Sequence, residues 1–409
     1  MLFRSMKIAV FGGSFDPVHN GHVQLAEAAI NELALDLILL MPAYIQPFKR
    51  DRRAEFSKDR INMLDLAFTG FEHCKVSSYE IDKGGISYSI DTLRHLRGEF
   101  ENGENKLYFI MGSDSLFSVE DWKKGDELLR EFAVIVGDRP DEGGRLLRQS
   151  AEALTNKYGA EIFILNAVMP DISSSSIRDL IESGSFSEVR DLIPCSVFNY
   201  IIAKGMYKID RDDSPESYVK SKILAYISER LSEKRFLHTL RVCDMALKLA
   251  HMYDLAPEKV EMAALLHDMA RGMSAEDLDK AVIKYEQGAR YLGNINLSHA
   301  KVAALFAREI FGICDEDILN AISYHTTGRA GMSPMEMVIY LADAVEYGRD
   351  YDGVAELRAL ALGGDLERAC CACLRHTVDY LKKAGIEIDK DTLKAYDYLK
   401  GERKWMQRK

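Results

Sequence analysis

The stretch Phe11-Gly12-Gly13-Ser14-Phe15-Asp16-Pro17-Val18-His19-Asn20-Gly21-His22 decides how the first half of this chain reads. It follows a short apolar run, Lys7–Phe11, and leads into Gly21–Leu33, where apolar residues recur at helical spacing. The order is therefore strand, glycine-bearing turn, helix. Two glycines let backbone N–H groups approach a phosphate closely, and a helix start adds partial positive charge. Gly12, Gly13, Ser14 and Phe15 are thus the expected cradle. His19 and His22 lie three residues apart, so both imidazoles can face one ligand from the first helical turn. Two imidazoles beside backbone donors suit charge that builds on a nucleotidyl phosphate in transfer.

Outward from this turn, Leu37–Met41, Leu107–Met111, Ala133–Val136 and Ile162–Leu165 read as further buried strands separated by helical segments. That alternation predicts an open, Rossmann-like parallel sheet with helices on both faces. The polar run KIDRDDSPES, residues 208–217, reads as a linker. Beyond it nearly every segment has helical periodicity: Tyr218–Leu231, Leu237–Met252, Val260–Arg271, His299–Phe311 and Pro334–Tyr347. The chain therefore divides into an α/β domain (1–207), a linker (208–217) and an all-α domain (218–409). A length of 409 residues fits, at roughly 100–200 residues per domain.

Charge and cysteines narrow the setting. The net charge is −11; residues 1–207 hold 23 Lys+Arg against 31 Asp+Glu, and the remainder 30 against 33. Neither half offers the broad basic surface of a nucleic-acid binder. An anionic small substrate must meet a local cluster of positive charge, and Lys49, Arg50, Arg52 and Arg53 supply one. Seven cysteines, an odd number without paired spacing, point to a reducing cytoplasm. Cys370, Cys371 and Cys373 lack a second spaced pair, so helix packing is the better reading than a metal site. No run of 18 apolar residues exists to span a membrane, and Met1–Ser5 is shorter than a signal peptide. Oligomeric state stays open, a homo-oligomer included.

A second phosphate element is Ile172-Ser173-Ser174-Ser175-Ser176-Ile177-Arg178. It reads as a capped helix start in which Ser174, Ser175 and Arg178 can meet phosphate oxygens. With HxGH upstream, the pair resembles the HxGH nucleotidyltransferases, most closely nicotinate-nucleotide adenylyltransferase, over about residues 6–207. The likeness includes Arg60–Leu64, Tyr88–Leu93, Phe109–Leu116, Trp122 and Ile193-Pro194…Tyr200-Ile201. It implies that His19, His22 and Arg178 contact ATP phosphates and Lys49 the reacting ones. Tyr88, Thr92 and Trp122 would hold nicotinate mononucleotide, with Asp114 near the ribose or adenosine. Mg²⁺ would accompany ATP. One departure is Pro47-Phe48-Lys49, where the family often has Pro-His-Lys. The chemistry needs no covalent nucleophile: the mononucleotide phosphate attacks the α-phosphorus in line and pyrophosphate leaves.

In the helical half His238, His267-Asp268, His299, His325 and Asp343 sit on separate helices or helix ends. The His267-Asp268 pair interrupts the apolar Ala263–Leu266, and buried charge is costly unless paired or bound to metal. These residues are candidate ligands of one shared centre. Their order resembles the HD-domain metal-dependent phosphohydrolases, in particular the symmetrical bis(5′-nucleosyl)-tetraphosphatase branch, over about residues 218–385. Ala321–Gly328, Met332–Pro334 and Tyr340–Tyr351 extend the likeness. It implies two divalent ions, iron by resemblance, with Asp268 central to catalysis and dinucleoside polyphosphates as substrates. His and carboxylate ligands would equally accept manganese. Arg271 and Arg349 are candidate phosphate contacts. Alternatives remain open: another mononucleotide or phosphopantetheine for the first half, and for the second a different nucleotide phosphohydrolase or a non-catalytic nucleotide-binding module.

Overall fold

The computed structural model describes residues 6–47, 56–100, 105–138, 144–207 and 215–406. The chain divides into two compact units, residues 1–198 and 199–409. The division falls inside the helix Cys195–Lys204, upstream of the polar run. Of that run, residues 208–214 lie outside the described residues. Its Pro215 already opens the helix Pro215–Arg230, three residues before the expected start. Proline suits that place, because a first-turn N–H has no partner within the helix.

The first unit is a six-stranded sheet in which every pairing is parallel. Its strands are β1 (Lys7–Gly13), β2 (Leu37–Pro42), β3 (Cys74–Val76), β4 (Lys106–Gly112), β5 (Ala133–Asp138) and β6 (Ile162–Val168), in the order β3-β2-β1-β4-β5-β6. The order reverses between β1 and β4. In open parallel sheets, ligands bind at the carboxyl ends of the strands where such a reversal opens a crevice. Gly12-Gly13 closes β1 and Gly112 closes β4 at that place. The short edge strand β3, with the polar Lys75 at its centre, carries no apolar run for sequence reasoning to detect. On one face Val10, Leu39, Met41, Phe109, Val134 and Val136 pack with Ile90, Leu93 and Leu96 of the helix Ser89–Phe100.

The second unit is all helical among its described residues. Glu233–Met252, Pro257–Leu266, Ile295–Phe311, Glu316–Tyr324 and Pro334–Val345 carry or border the candidate ligands. Helix ends are set by local chemistry. Ser232 caps Glu233–Met252 by accepting from the Arg235 N–H, and Ser333 caps Pro334–Val345 by accepting from Glu336. Pro257–Leu266 stops earlier than its periodicity predicts, so His267 and Asp268 sit in a turn at its end. Cys370 and Cys373 are buried on the helix Leu366–Lys383, where the Cys370 thiol meets the Met337 carbonyl at 3.6 Å. Among the described residues no helix is long and apolar enough to cross a membrane.

Candidate active sites

The first site grows from the end of β1. Phe15 takes a left-handed φ of 48° and is wholly buried, its ring 5.3 Å from Phe11 and 4.9 Å from His22. Gly13 makes room for it, since a Cβ there would lie 3.1 Å from the Phe15 ring. A Cβ on Gly12 would meet Phe109 at 3.2 Å, so both glycines serve packing as well as backbone approach. His19 is the residue before the helix Asn20–Leu33, and its ring stacks on His22 with centroids 3.6 Å apart. His22 Nδ1 accepts the His19 backbone N–H at 3.2 Å. A neutral ring accepting at Nδ1 carries its proton on Nε2, which then serves as a donor. Gly21 lies directly beneath, where a Cβ would stand 3.1 Å from the His19 ring.

The serine-rich element docks on this loop. Ser173 caps the helix Ser174–Glu182 by accepting the Ser176 N–H, and Ser174 Oγ donates to the Pro17 carbonyl at 2.9 Å. The Arg178 guanidinium donates to the Asp16 carbonyl and, at 3.0 Å, to Ser175 Oγ. His19, His22, Ser174, Ser175 and Arg178 are therefore brought together. Sequence reasoning missed the task of Arg60. It is buried and donates to the carbonyls of Ser14 at 2.9 Å and Ala43 at 2.6 Å, which ties the loops after β1 and β2 together. Lys49, with Phe48, Arg50, Arg52 and Arg53, lies outside the described residues.

Tyr88 and Trp122 are half-buried against the same apolar core. Thr92 is buried, and its hydroxyl donates to Glu80 rather than facing an open cleft. Burial pushes the Glu80 carboxyl up, against the hydrogen bonds from Thr92 and Ser87. Asp114 is exposed in the first turn of the short helix Ser113–Phe117, directly after β4.

The second site lies within the helical unit. His267, His299 and His325 each turn Nδ1 to a carbonyl of their own helix, at 2.6 Å to Ala264, 2.9 Å to Ile295 and 2.8 Å to Ile322. That bond fixes the ring and points Nε2 inward, as metal-binding histidines require. His299 Nε2 is 3.1 Å from His325 Nε2 and 3.2 Å from Asp268 Oδ1. His267 Nε2 is buried without a hydrogen-bond partner and lies 3.8 Å from Asp268 Oδ2. Inward nitrogens and a carboxylate crowd one another here, and a cation among them satisfies them together. Burial and the neighbouring His267 and His299 push the His325 ring down to about 3, so it stays neutral and able to ligate. Burial alone would raise the Asp268 carboxyl, but the surrounding histidines hold it well below its usual range.

Two groups of candidate ligands share Asp268: His238, His267 and Asp268, and Asp268, His299 and His325. Asp343 joins through His238, whose Nε2 it meets at 3.0 Å. Arg349 binds the Asp343 carboxylate at 2.5 Å, and Arg271 lies 3.2 Å from His299 Nδ1. Three further residues complete the arrangement. Glu346 receives His238 Nδ1 at 2.9 Å, Arg241 holds Glu346 at 3.2 Å, and Arg235 meets Asp268 Oδ2 at 3.0 Å. Glu346 falls within the Tyr340–Tyr351 likeness, whereas the signal for Arg235 and Arg241 was helical spacing alone, three residues from His238.

Fold and sites together fit a nucleotidyltransferase unit followed by a helical unit whose His/Asp groups suit a divalent metal. Residues 10–180 match the Cytidylyltransferase-like family and residues 235–348 the HD domain. A Mycoplasma genitalium protein named "Probable nicotinate-nucleotide adenylyltransferase/Ap4A hydrolase" is 29% identical over 343 residues, covering 84% of this chain and 88% of that protein. A Clostridium tetani "Probable nicotinate-nucleotide adenylyltransferase" is 34% identical over 202 residues, 49% of this chain and 99% of the relative. A solved Clostridium acetobutylicum structure, described as a "predicted HD superfamily hydrolase involved in NAD metabolism", is 37% identical. It covers 46% of this chain and 97% of its own, with a TM-score of 0.42. The chain belongs to the nicotinate-nucleotide adenylyltransferase family through its first half and carries an HD domain in its second. HD domains hold divalent metals, and the two His/Asp groups suit them.

Proposed function

We propose that the chain is bifunctional. Its first unit transfers the adenylyl group of ATP to nicotinate mononucleotide, giving nicotinate adenine dinucleotide and pyrophosphate. The observation that carries this is the docking of the Ser174–Arg178 element on the Asp16-Pro17 carbonyls just ahead of His19 and His22, in a chain of that family. ATP phosphates lie against the start of the helix Asn20–Leu33. There the His22 Nε2–H and the Arg178 charge neutralise the oxygens of the α-phosphorus as the mononucleotide phosphate attacks. Mg²⁺, brought with ATP, supplies further charge neutralisation. Lys49 contacts the reacting phosphates, and Tyr88, Trp122 and Asp114 orient the nucleotides, with Thr92 acting through Glu80.

The helical unit hydrolyses diadenosine tetraphosphate symmetrically to two ADP. The fused relative's name supports this reading, as does a centre with two ligand groups. His238, His267 and Asp268 would hold one ion, with Asp343 completing it, and Asp268, His299 and His325 the other. Iron is the proposed metal. Two bound ions supply activated water and charge neutralisation at an in-line displacement. The chain itself orients the phosphates through Arg271 and Arg349, while Glu346 fixes the His238 ring. Product identification tests both halves. ATP with nicotinate mononucleotide should give the dinucleotide, and diadenosine tetraphosphate should give ADP alone. AMP plus ATP from the latter would contradict the symmetrical assignment.

A further inference from the structure

The helical unit also holds a cavity that the reaction just described leaves without a task. Its volume is about 270 Å³, and Tyr226, Arg230, Met269, Gly272, Met273 and Phe306 line it. The turn after Asp268 builds one wall. There the N–H groups of Met269, Arg271 and Met273 donate to the carbonyls of Leu266, Asp268 and Ala270 at 3.2, 2.8 and 3.1 Å. Gly272 lets this turn press on the end of the helix Pro215–Arg230, since a Cβ there would stand 2.3 Å from the Arg230 oxygen. Arg271 reaches His299 and Asn296, whereas Met269 and Met273 line the cavity. Phe306 comes from the helix Ile295–Phe311, about two turns beyond His299. Tyr226 meets Phe311 edge-on with centroids 5.5 Å apart, and the Arg230 guanidinium stacks on the Tyr226 face at 3.8 Å.

We infer that this cavity seats the purine base of a nucleotide. Aromatic rings, thioethers and a stacked guanidinium all favour a flat π-system over an aliphatic chain. Size narrows the ring: an apolar cavity of about 150 Å³ takes benzene, so this one has room for a fused two-ring base. Charge narrows the class. Arg230 is half exposed, and its carboxylate partner among the described residues is Glu229 at 3.8 Å, too long for a hydrogen bond. Its donors therefore suit the acceptor nitrogens of a base, or a phosphate attached to it. Met269 directly follows the candidate ligand Asp268, so the cavity adjoins the proposed metal centre. The choice of a nucleotide rests on the proposed hydrolase reading of this unit. Two sources present the same base: the substrate held at the metals, or a separate nucleotide bound beside it.

The test titrates metal-loaded, full-length protein with adenosine by calorimetry and follows hydrolysis of diadenosine tetraphosphate in the same samples. Phe306→Leu and Arg230→Met, two variants on different helices, should each weaken one adenosine site by about 5–150-fold, the range of one base stack. Arg308→Ala, an exposed cation on the helix of Phe306, should leave it unchanged. If the base is the substrate's own, adenosine competes with diadenosine tetraphosphate, and both variants raise its KM while kcat holds. If it belongs to a separate nucleotide, adenosine changes the wild-type rate without competing, and both variants lose that response. Adenosine isotherms that match wild type in both variants overturn the inference. Adenosine binding that the two variants weaken, in a protein that leaves diadenosine tetraphosphate intact, keeps the pocket and overturns the substrate reading alone.

Discussion

Gly21 sits between the two histidines of the first site, and its lack of a side chain sets where His19 stands. A Cβ there would approach the His19 ring to 3.1 Å, tighter than neighbours accept without moving. Gly21→Ala should raise helix stability, by up to about 1 kcal/mol from propensity alone. It should nonetheless lower kcat by roughly tenfold or more, since small misplacements at a reacting centre are costly. Thermal unfolding measured beside steady-state rates checks this split. His22→Ala removes a donor outright and should cost about 10²–10³ in kcat with little change in Tm. At this scale the sequence was legible where spacing alone aligns groups, as with His19 and His22. Arg60 was not, because its partners are carbonyls of two loops 17 and 46 residues away. No local pattern marks a donor aimed at backbone.

Helices bring together what residues cannot foretell. The helix Ser89–Phe100 is pinned to the helix Gly125–Glu131 by Arg94 and Arg97, both bonded to Glu131. Arg94, aided by Arg97, holds the Glu131 carboxyl down to about 2 from an ordinary 4.5. A lowered carboxyl contributes its stability fully above the unfolded value and loses it as pH falls toward the folded one. Glu131→Gln should therefore lower Tm at pH 7, and the gap from wild type should narrow as pH drops below about 4.5. A gap that stays constant with pH would mean packing rather than charge. In the helical unit, Glu346→Gln should weaken metal binding by about 10–100-fold, because it orients His238 without being a ligand. Metal titration of the purified variant reads this directly. The five main strands were legible as apolar runs, whereas β3 was too short and too polar. Helix starts were unevenly legible: Pro334 opens its helix where the sequence reading began it, whereas Pro257 opens one three residues ahead of the apolar stripe read from Val260.

Over the whole molecule the elements divide sharply: among the described residues every strand lies before residue 170, and the regular elements beyond are helices. That division was plain in the sequence. The contact boundary instead falls inside the helix Cys195–Lys204, ahead of the polar run that reads as a linker. Each candidate site is assembled within one unit, so we propose that the two halves work independently. Chelation should then abolish hydrolysis and lower the unfolding temperature of the helical unit alone, since its ligands are buried. The most direct measurement assays wild type, His22→Ala and Asp268→Ala for both reactions in the full-length chain. Independence predicts that His22→Ala loses dinucleotide synthesis and keeps hydrolysis of diadenosine tetraphosphate to ADP, while Asp268→Ala does the reverse. Loss of both reactions in either variant, or retention of synthesis in His22→Ala, would contradict two separate active sites built on these residues.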